Sequence, residues 1–508
     1  MLQALRHSVM VKVFGLIALT VLLCFPLAEI DSLNRERGRS QQEAAQELAE
    51  TYAGPQTVVG PLLVVPYVER WMEPLRDAKG ALIGQEARSR RAAQIVYPDK
   101  LHTEGTLAPQ ERYRGIFKIP FYRLNATLDG AFPAFDAARV ARSETGSKIE
   151  IGEPYVALSV SDLRGLDGSP TLALGGEALR FAQRLPGIAD DAALANGIHA
   201  PLAGAALAAW QAGKPLPFEM KLGLVGQETL SMAPIAEDTT AHLTSPWAHP
   251  SFGGRFLAAE RSVSAEGFDA RWRVSSLVTT ARDQVRAGLL AGSSGGREGA
   301  RNARTGFDTV EVTAATAMAA SASAAAASGA AMMGPLQTFD VSLAQPLNVY
   351  SMSTRAAKYG VLFIGLVLMA AYMFELFRKL RLHPVQYGLV GLSIALFFLL
   401  LLALSEKFAF HLAYAGAAGA SVLLLAVYFS AVLGHWKRGA AFGGYVAVLY
   451  GALYGLLASE SNALLLGALL IFGMLSLLML ATRKVDWYGL SAGSATGTTA
   501  GVTAGAPA

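Results

Sequence analysis

The chain has 508 residues, 52% of them hydrophobic and only 16% charged, with 51 glycines. That is too apolar for an ordinary water-soluble protein and glycine-rich in the manner of membrane helices. Its length allows two or three domains. The net charge of +4 is too small to imply a nucleic-acid partner, and the single cysteine, Cys24, excludes an intramolecular disulfide, so an exported domain must be held by its core alone.

Residues 1–30 carry Arg6 and Lys12, then an uncharged run from Val13 to Ala28. A cleaved signal peptide and a permanent anchor both fit this pattern. The anchor is favoured, with its helix reaching back through Val9–Val11 while Lys12 snorkels to the interface. Cleavage after Ala28 would put Pro26 where a small residue is wanted, and a lipoprotein site at Cys24 would put Leu23 where Gly, Ala or Ser is expected. Residues 31–55 are charged and Gln/Ala-rich. Ala45, Leu48, Ala49 and Tyr52 recur at helical steps, which predicts an amphipathic stalk helix ended by Gly54-Pro55.

The period changes over residues 56–350. Tyr122, Leu124, Ala126 and Leu128 alternate with polar residues, as do Phe268, Ala270, Trp272 and Val274. Val156, Leu158 and Val160, then Met220, Leu222 and Leu224, then Phe339, Val341 and Leu343 repeat the pattern. These are half-buried strands, and turn signals such as Leu128-Asp129-Gly130 suit antiparallel pairing, in a sandwich or two related sheets. Two stretches are poor strand material: the Ala-rich, helix-like Asp190–Gln211, and the low-complexity insertion at 292–337, which has too little large apolar surface to offset its ordering entropy and is expected to be disordered.

After Lys358 the chain is membrane-like. Spans are expected at Tyr359–Phe374, Tyr387–Ser405, Ala409–Leu433, Ala441–Ala458 and Ala463–Ala481, within a bundle at 359–488 followed by a disordered cytoplasmic tail at 489–508. The second lies in a stretch without one charge between Arg381 and Glu406. A central Asp, Lys or Arg costs about 2.5–3.5 kcal/mol on the insertion scale, which makes such a run hard to read as a water-soluble helix. One set of connectors holds Arg378, Lys379, Arg381, Lys437, Arg438, Arg483 and Lys484, and the other set only Lys407. The basic set belongs inside. The expected architecture is therefore an α+β membrane protein: a six-helix transmembrane bundle, one N-terminal anchor plus five C-terminal spans, with a large, mainly antiparallel β domain outside the cytoplasm and both termini within it.

The string FELFRKLRLHPVQYGLVGLSIALFFLLLLALSEKFAF (374–410) resembles the CreD family of inner-membrane, cell envelope integrity proteins of Gram-negative bacteria. AGPQTVVGPLLVVPY (53–67), SVSDLRG (159–165), SPWAHPSFGGRFL (245–257), SAEGFDARWRVSSL (264–277) and RKVDWY (483–488) extend the likeness over almost the whole chain in the same order. It implies a multi-pass inner-membrane protein with a large periplasmic domain, tied to envelope integrity and envelope stress. It brings no catalytic residue. The insertion near 292–337 and the tail after Leu490 depart from the family pattern.

No HExxH or paired metal spacing appears among the eight histidines, no G-x-S-x-G elbow is present, and no phosphate-binding glycine loop precedes a lysine. No catalytic, cofactor-binding or metal-binding residue is therefore expected. Ser251 beside His249 reads as a turn entering a strand rather than a nucleophile and base. The polar positions of interest are Glu375, Glu406, His411 and Glu460 at span ends, because ionisable groups there are costly and often functional. Glu375 is expected to pair with Arg378 or Lys379; for His411 a pair with Glu406 and a neutral interfacial histidine stay equally open. Gly439-x-x-x-Gly443, Gly451-x-x-x-Gly455 and the Gly416–Gly419 stretch allow close helix approach, within the bundle or between copies, so an oligomer is open. The expected partners are the lipid bilayer and an unidentified periplasmic or envelope component. Two alternatives stay open: a transporter or lipid-handling protein using the span-end carboxylates, and a membrane-tethered periplasmic hydrolase.

Overall fold

The computed structural model describes residues 9–76, 82–188, 192, 194–290, 335–343, 349–378, 382–458 and 463–483. The chain divides into two compact units, one of Glu43–Pro346 and the other of the segments before and after it.

The first unit is built from two sheets. The nine-stranded sheet has its main path in the order β14 (Ser251–Gly254), β17 (Phe339–Ser342), β12 (Thr229–Met232), β1 (Gln56–Arg76), β6 (Tyr155–Val160), β10 (Gly197–Pro201) and β9 (Ala182–Gln183). β2 (Leu82–Val96) and β5 (Lys148–Ile151) also pair with β1. The eight-stranded sheet runs β15 (Glu260–Ser264), β16 (Gly267–Ser275), β13 (Asp238–Ser245), β3 (Lys100–Arg114), β4 (Phe117–Phe132), β11 (Leu216–Gln227), β7 (Thr171–Leu174) and β8 (Glu177–Leu179). Pairing is antiparallel except between β1 and β12 and between β3 and β13.

The alternations expected from sequence set the inner faces. Tyr122, Leu124, Ala126 and Leu128 of β4 and Phe268, Ala270, Trp272 and Val274 of β16 are all buried. Burying each large side chain contributes about 1.5–3 kcal/mol. β6 departs from the half-buried pattern, because every one of its residues is buried between β1 and β10. Asp190–Gln211 is not one helix: among its described residues 197–201 form β10, and only α2 (Gly204–Gln211) is helical. Ile198 and Ala200 lie in the core there, so pairing with β6 overrides the helix preference of the surrounding alanines. A second short helix, α3 (Ala281–Leu290), adds Val285 and Leu289 to the same core.

Anchor and stalk, expected as separate elements, form one helix, α1 (Val9–Thr51), of 43 residues. Its last turns pack Ala45, Leu48 and Tyr52 on Ile119, Phe121 and Val225 of the β unit, and Arg112 stacks 3.8 Å over the Tyr52 ring.

In the other unit α4 (Val349–Arg378) is about twice the expected span, with a polar first half. α5 (Pro384–Ser405) begins at a proline whose missing N–H costs nothing at the first helical position. It is capped by His383 and Gln386. α6 (Phe410–Val432) ends at Leu433, after which Gly434 adopts φ +62°, the left-handed conformation glycine accepts without strain. α7 (Trp436–Ala458) and α8 (Ala463–Thr482) follow.

Five helices among the described residues are long and apolar enough to cross a membrane. They are Val11–Thr51, Met352–Leu376, Pro384–Ser405, Phe410–Val432 and Trp436–Leu457. The expected sixth span coincides with α8. Most of the 292–337 insertion, the tail at 489–508, Glu460 and Lys379 lie outside the described residues.

Candidate functional site

Glu375 sits in the last turns of α4 and is only 4% exposed. Lys12 of α1 donates to one of its carboxylate oxygens, and the Tyr387 hydroxyl of α5 donates to the other. Three helices therefore meet on one carboxylate. A buried carboxylate costs several kcal/mol unless it is paired and hydrogen-bonded, and here both oxygens are occupied by charge-assisted or phenolic donors. Glu375 thus reaches across to Lys12 of α1; its expected pairing with Arg378 or Lys379 involves side chains outside the described residues. Lys12 remains 40% exposed, so the pair is only half withdrawn from solvent or lipid.

The knot is one end of a seam along which α1 runs antiparallel to α4. Leu16, Leu19, Leu23, Leu27 and Ile30 continue the stripe at three- and four-residue steps and join the helix core. Two glycines make the approach possible. A side chain at Gly360 would meet Leu27 at 2.6 Å, and one at Gly391 would meet Leu23 at 2.1 Å. Further along, Asn34 donates to the Tyr350 carbonyl at 2.9 Å and to Thr354 Oγ1 at 2.5 Å. Arg37 then pairs with Glu406 at the end of α5, 3.5 Å away.

Glu406 therefore faces Arg37, and His411 is exposed on the first turn of α6; of the two readings left open for His411, the structure does not show the pair with Glu406. Glu375 and Glu406 lie at opposite ends of the antiparallel α4–α5 hairpin, and the structure does not gather Glu375, Glu406 and His411 into one site. Sequence reasoning passed over Tyr387, Asn34 and Arg37. The signal was present, since Lys12, Leu16, Leu19, Leu23, Leu27, Ile30 and Asn34 form a helical stripe, but it is hidden where nearly every neighbour is also apolar.

Of the glycine motifs, Gly439 and Gly443 are pressed against α6. A side chain at Gly439 would lie 2.5 Å from the Ala426 carbonyl, and one at Gly443 2.7 Å from Ala426 Cβ. Gly451 and Gly455 face open space. In the β unit Ser251 opens β14 opposite Ser342, and the His249 carbonyl accepts the Trp247 indole N–H at 3.0 Å, an arrangement of a turn entering a strand. Among the described residues no group of three or more His, Cys, Asp or Glu is set to hold a metal ion.

A protein-family model described as "Inner membrane protein CreD" matches residues 8–488, from the start of α1 to beyond α8. The chain belongs to the CreD family. It is 30% identical to the "Inner membrane protein CreD" of Escherichia coli (strain K12) over 487 residues, 96% of this chain and 95% of the relative. A family of inner-membrane proteins and several apolar helices agree: this is an inner-membrane protein with membrane-spanning helices. Among solved structures, an M1 zinc metallopeptidase from Deinococcus radiodurans matches 35% of this chain and 38% of its own at 8% identity and a TM-score of 0.17. A mutant of the same enzyme reaches 10% and 0.18. Likeness at that level says nothing about fold or activity.

Proposed function

We propose that this member of the CreD family is a permanently anchored envelope-integrity protein. Its β unit is exported to the periplasm and engages an envelope partner, while the helical unit, six spans with both termini in the cytoplasm, serves as its anchor. The observation that carries the reading is the seam from Lys12–Glu375 to Asn34–Tyr350. A segment destined for cleavage has no use for a carboxylate on α4 satisfied by its own lysine. The clustering of basic residues at alternate connectors supports the orientation.

The same knot favours anchoring over transport. An ion or proton carrier needs an intramembrane carboxylate that exchanges partners, and both oxygens of Glu375 are already engaged. A hydrolytic role has weaker support still, since Ser251 and His249 are placed as turn and strand. Two measurements test the proposal. The size of the mature protein in membranes should equal that of the whole chain. A strain lacking the gene should regain envelope resistance from the wild-type protein and from Ser251→Ala equally. A shortened mature chain, or loss of resistance with Ser251→Ala at normal protein level, overturns it.

A further inference from the structure

β1 and β2 pair from Leu63 with Val96 to Arg76 with Leu82, but β5 lines the other side of β1 only as far as Arg70. From the Trp71–Arg88 pair outward, about 20 Å of two-stranded ribbon has no third strand among the described residues. Such a ribbon alone is marginal in water. This one is also apolar at its outer end: Met72, Leu75, Leu82 and Ile83 are between 41% and 67% exposed, and none joins the core of the β unit. Single exposed apolar side chains are ordinary, whereas four at one ribbon end form a patch.

Directly opposed residues of an antiparallel pair share a face. Trp71 and Leu75 therefore lie on one face of the ribbon, and Met72 and Leu82 on the other. A protein groove would cover one face; a medium that surrounds the tip covers both. Behind the tip the charge is cationic. Glu73 and Glu86, opposed on the Trp71 face, are both held by Arg88, at 2.8 and 2.9 Å, and Glu150 meets Arg70 at 3.0 Å. Arg90 and Arg91 are exposed and form no ion pair among the described residues. An apolar end backed by arginines matches the layering of a bilayer, acyl chains first and phosphates above them.

The chain itself keeps a bilayer within reach. The β unit continues into α1 at one end and, beyond Pro346, into α4 at the other, and both helices contain a stretch able to cross a membrane. The part of α1 after Ile30 measures about 30 Å. β1 measures about 70 Å, so the strand is longer than the stalk that precedes it.

We propose that the outer end of the β1–β2 ribbon is immersed in the headgroup–acyl boundary of the bilayer that the protein's own helices cross. Leu75, Leu82 and Ile83 enter the acyl chains, Trp71 sits at headgroup level, and Arg90 and Arg91 meet lipid phosphates. The contact gives the β unit a third attachment to the membrane besides α1 and α4. It does not depend on which side of the membrane the unit lies.

The full chain in vesicles of phosphatidylethanolamine and phosphatidylglycerol tests this. With the sole cysteine removed in Cys24→Ser, one polarity-sensitive fluorophore is placed by Leu75→Cys, Leu82→Cys or Ile116→Cys. Emission from the first two, which lie on opposite faces, should shift to the blue and be lost when lipids carrying a shallow doxyl quencher are included. Ile116→Cys, an exposed position on the β3–β4 hairpin, should show neither effect. Water-like emission from both ribbon positions overturns the proposal, as does quenching on one face only or equal quenching at Ile116→Cys. Shielding that appears only after envelope proteins are added marks a protein groove and overturns it too.

Discussion

At the scale of single residues, two carboxylates show opposite ways of keeping a buried charge. Glu375 is answered by a cation on another helix, so removing a partner leaves it stranded. Lys12→Ala should cost less than the about 3–5 kcal/mol of a fully buried pair, because Lys12 is half exposed, and Tyr387→Phe about 1.5–3 kcal/mol. Reversing both charges in Lys12→Glu with Glu375→Lys should recover part of what either single reversal loses; thermal midpoints in micelles decide this. Glu69 of β1, 1% exposed, is answered by dipoles instead. Burial opposes its ionisation, but the hydroxyls of Ser143 and Ser147 and the backbone N–H groups of Ser143 and Glu144 outweigh it and bring its pKa down to about 2. A depressed carboxylate stabilises the fold above its usual value of 4.5, and that contribution is lost as pH falls towards about 2. Unfolding of Glu69→Gln should be flatter than wild type across that window and weaker than wild type above it.

At the scale of elements, identical sequence spelling has different consequences. Gly439-x-x-x-Gly443 and Gly451-x-x-x-Gly455 read alike, yet only the first is pressed against α6. Gly439→Ala would drive its new carbon into backbone atoms of Ala426 and Ser430 and should cost about 1–3 kcal/mol. Gly451→Ala meets nothing within 4 Å and should lie within about 1 kcal/mol of wild type, in the stabilising direction if helix propensity acts alone. Paired melting curves separate the two. Strand β10 makes the same point for the sheets. Its residues sit in an alanine-rich stretch that reads as helix, and the free edge of β6 converts them to a strand by supplying the ladder hydrogen bonds. The strands with strict alternation, β4, β11 and β16, needed no such context, because period 2 with apolar residues on one face admits one buried arrangement.

At the scale of the whole molecule the expected orientation rests on charge. A reporter enzyme fused after His435 should be active in the cytoplasm, and one after Glu460 in the periplasm; the reverse result would remove the basis for exporting the β unit. The sequence by itself determined that much of the chain enters lipid, which connectors are basic, that the central portion is pleated, and the family. Each is a property of local composition or period, which hydropathy, charge and alternation report without knowledge of distant contacts. Only the tertiary structure decided that Lys12 and Glu375 are partners, that Glu406 belongs to Arg37, and which glycines touch a neighbour. Those facts depend on residues far apart in the chain being carried to the same place, and no spacing along one element encodes which distant element will arrive opposite it.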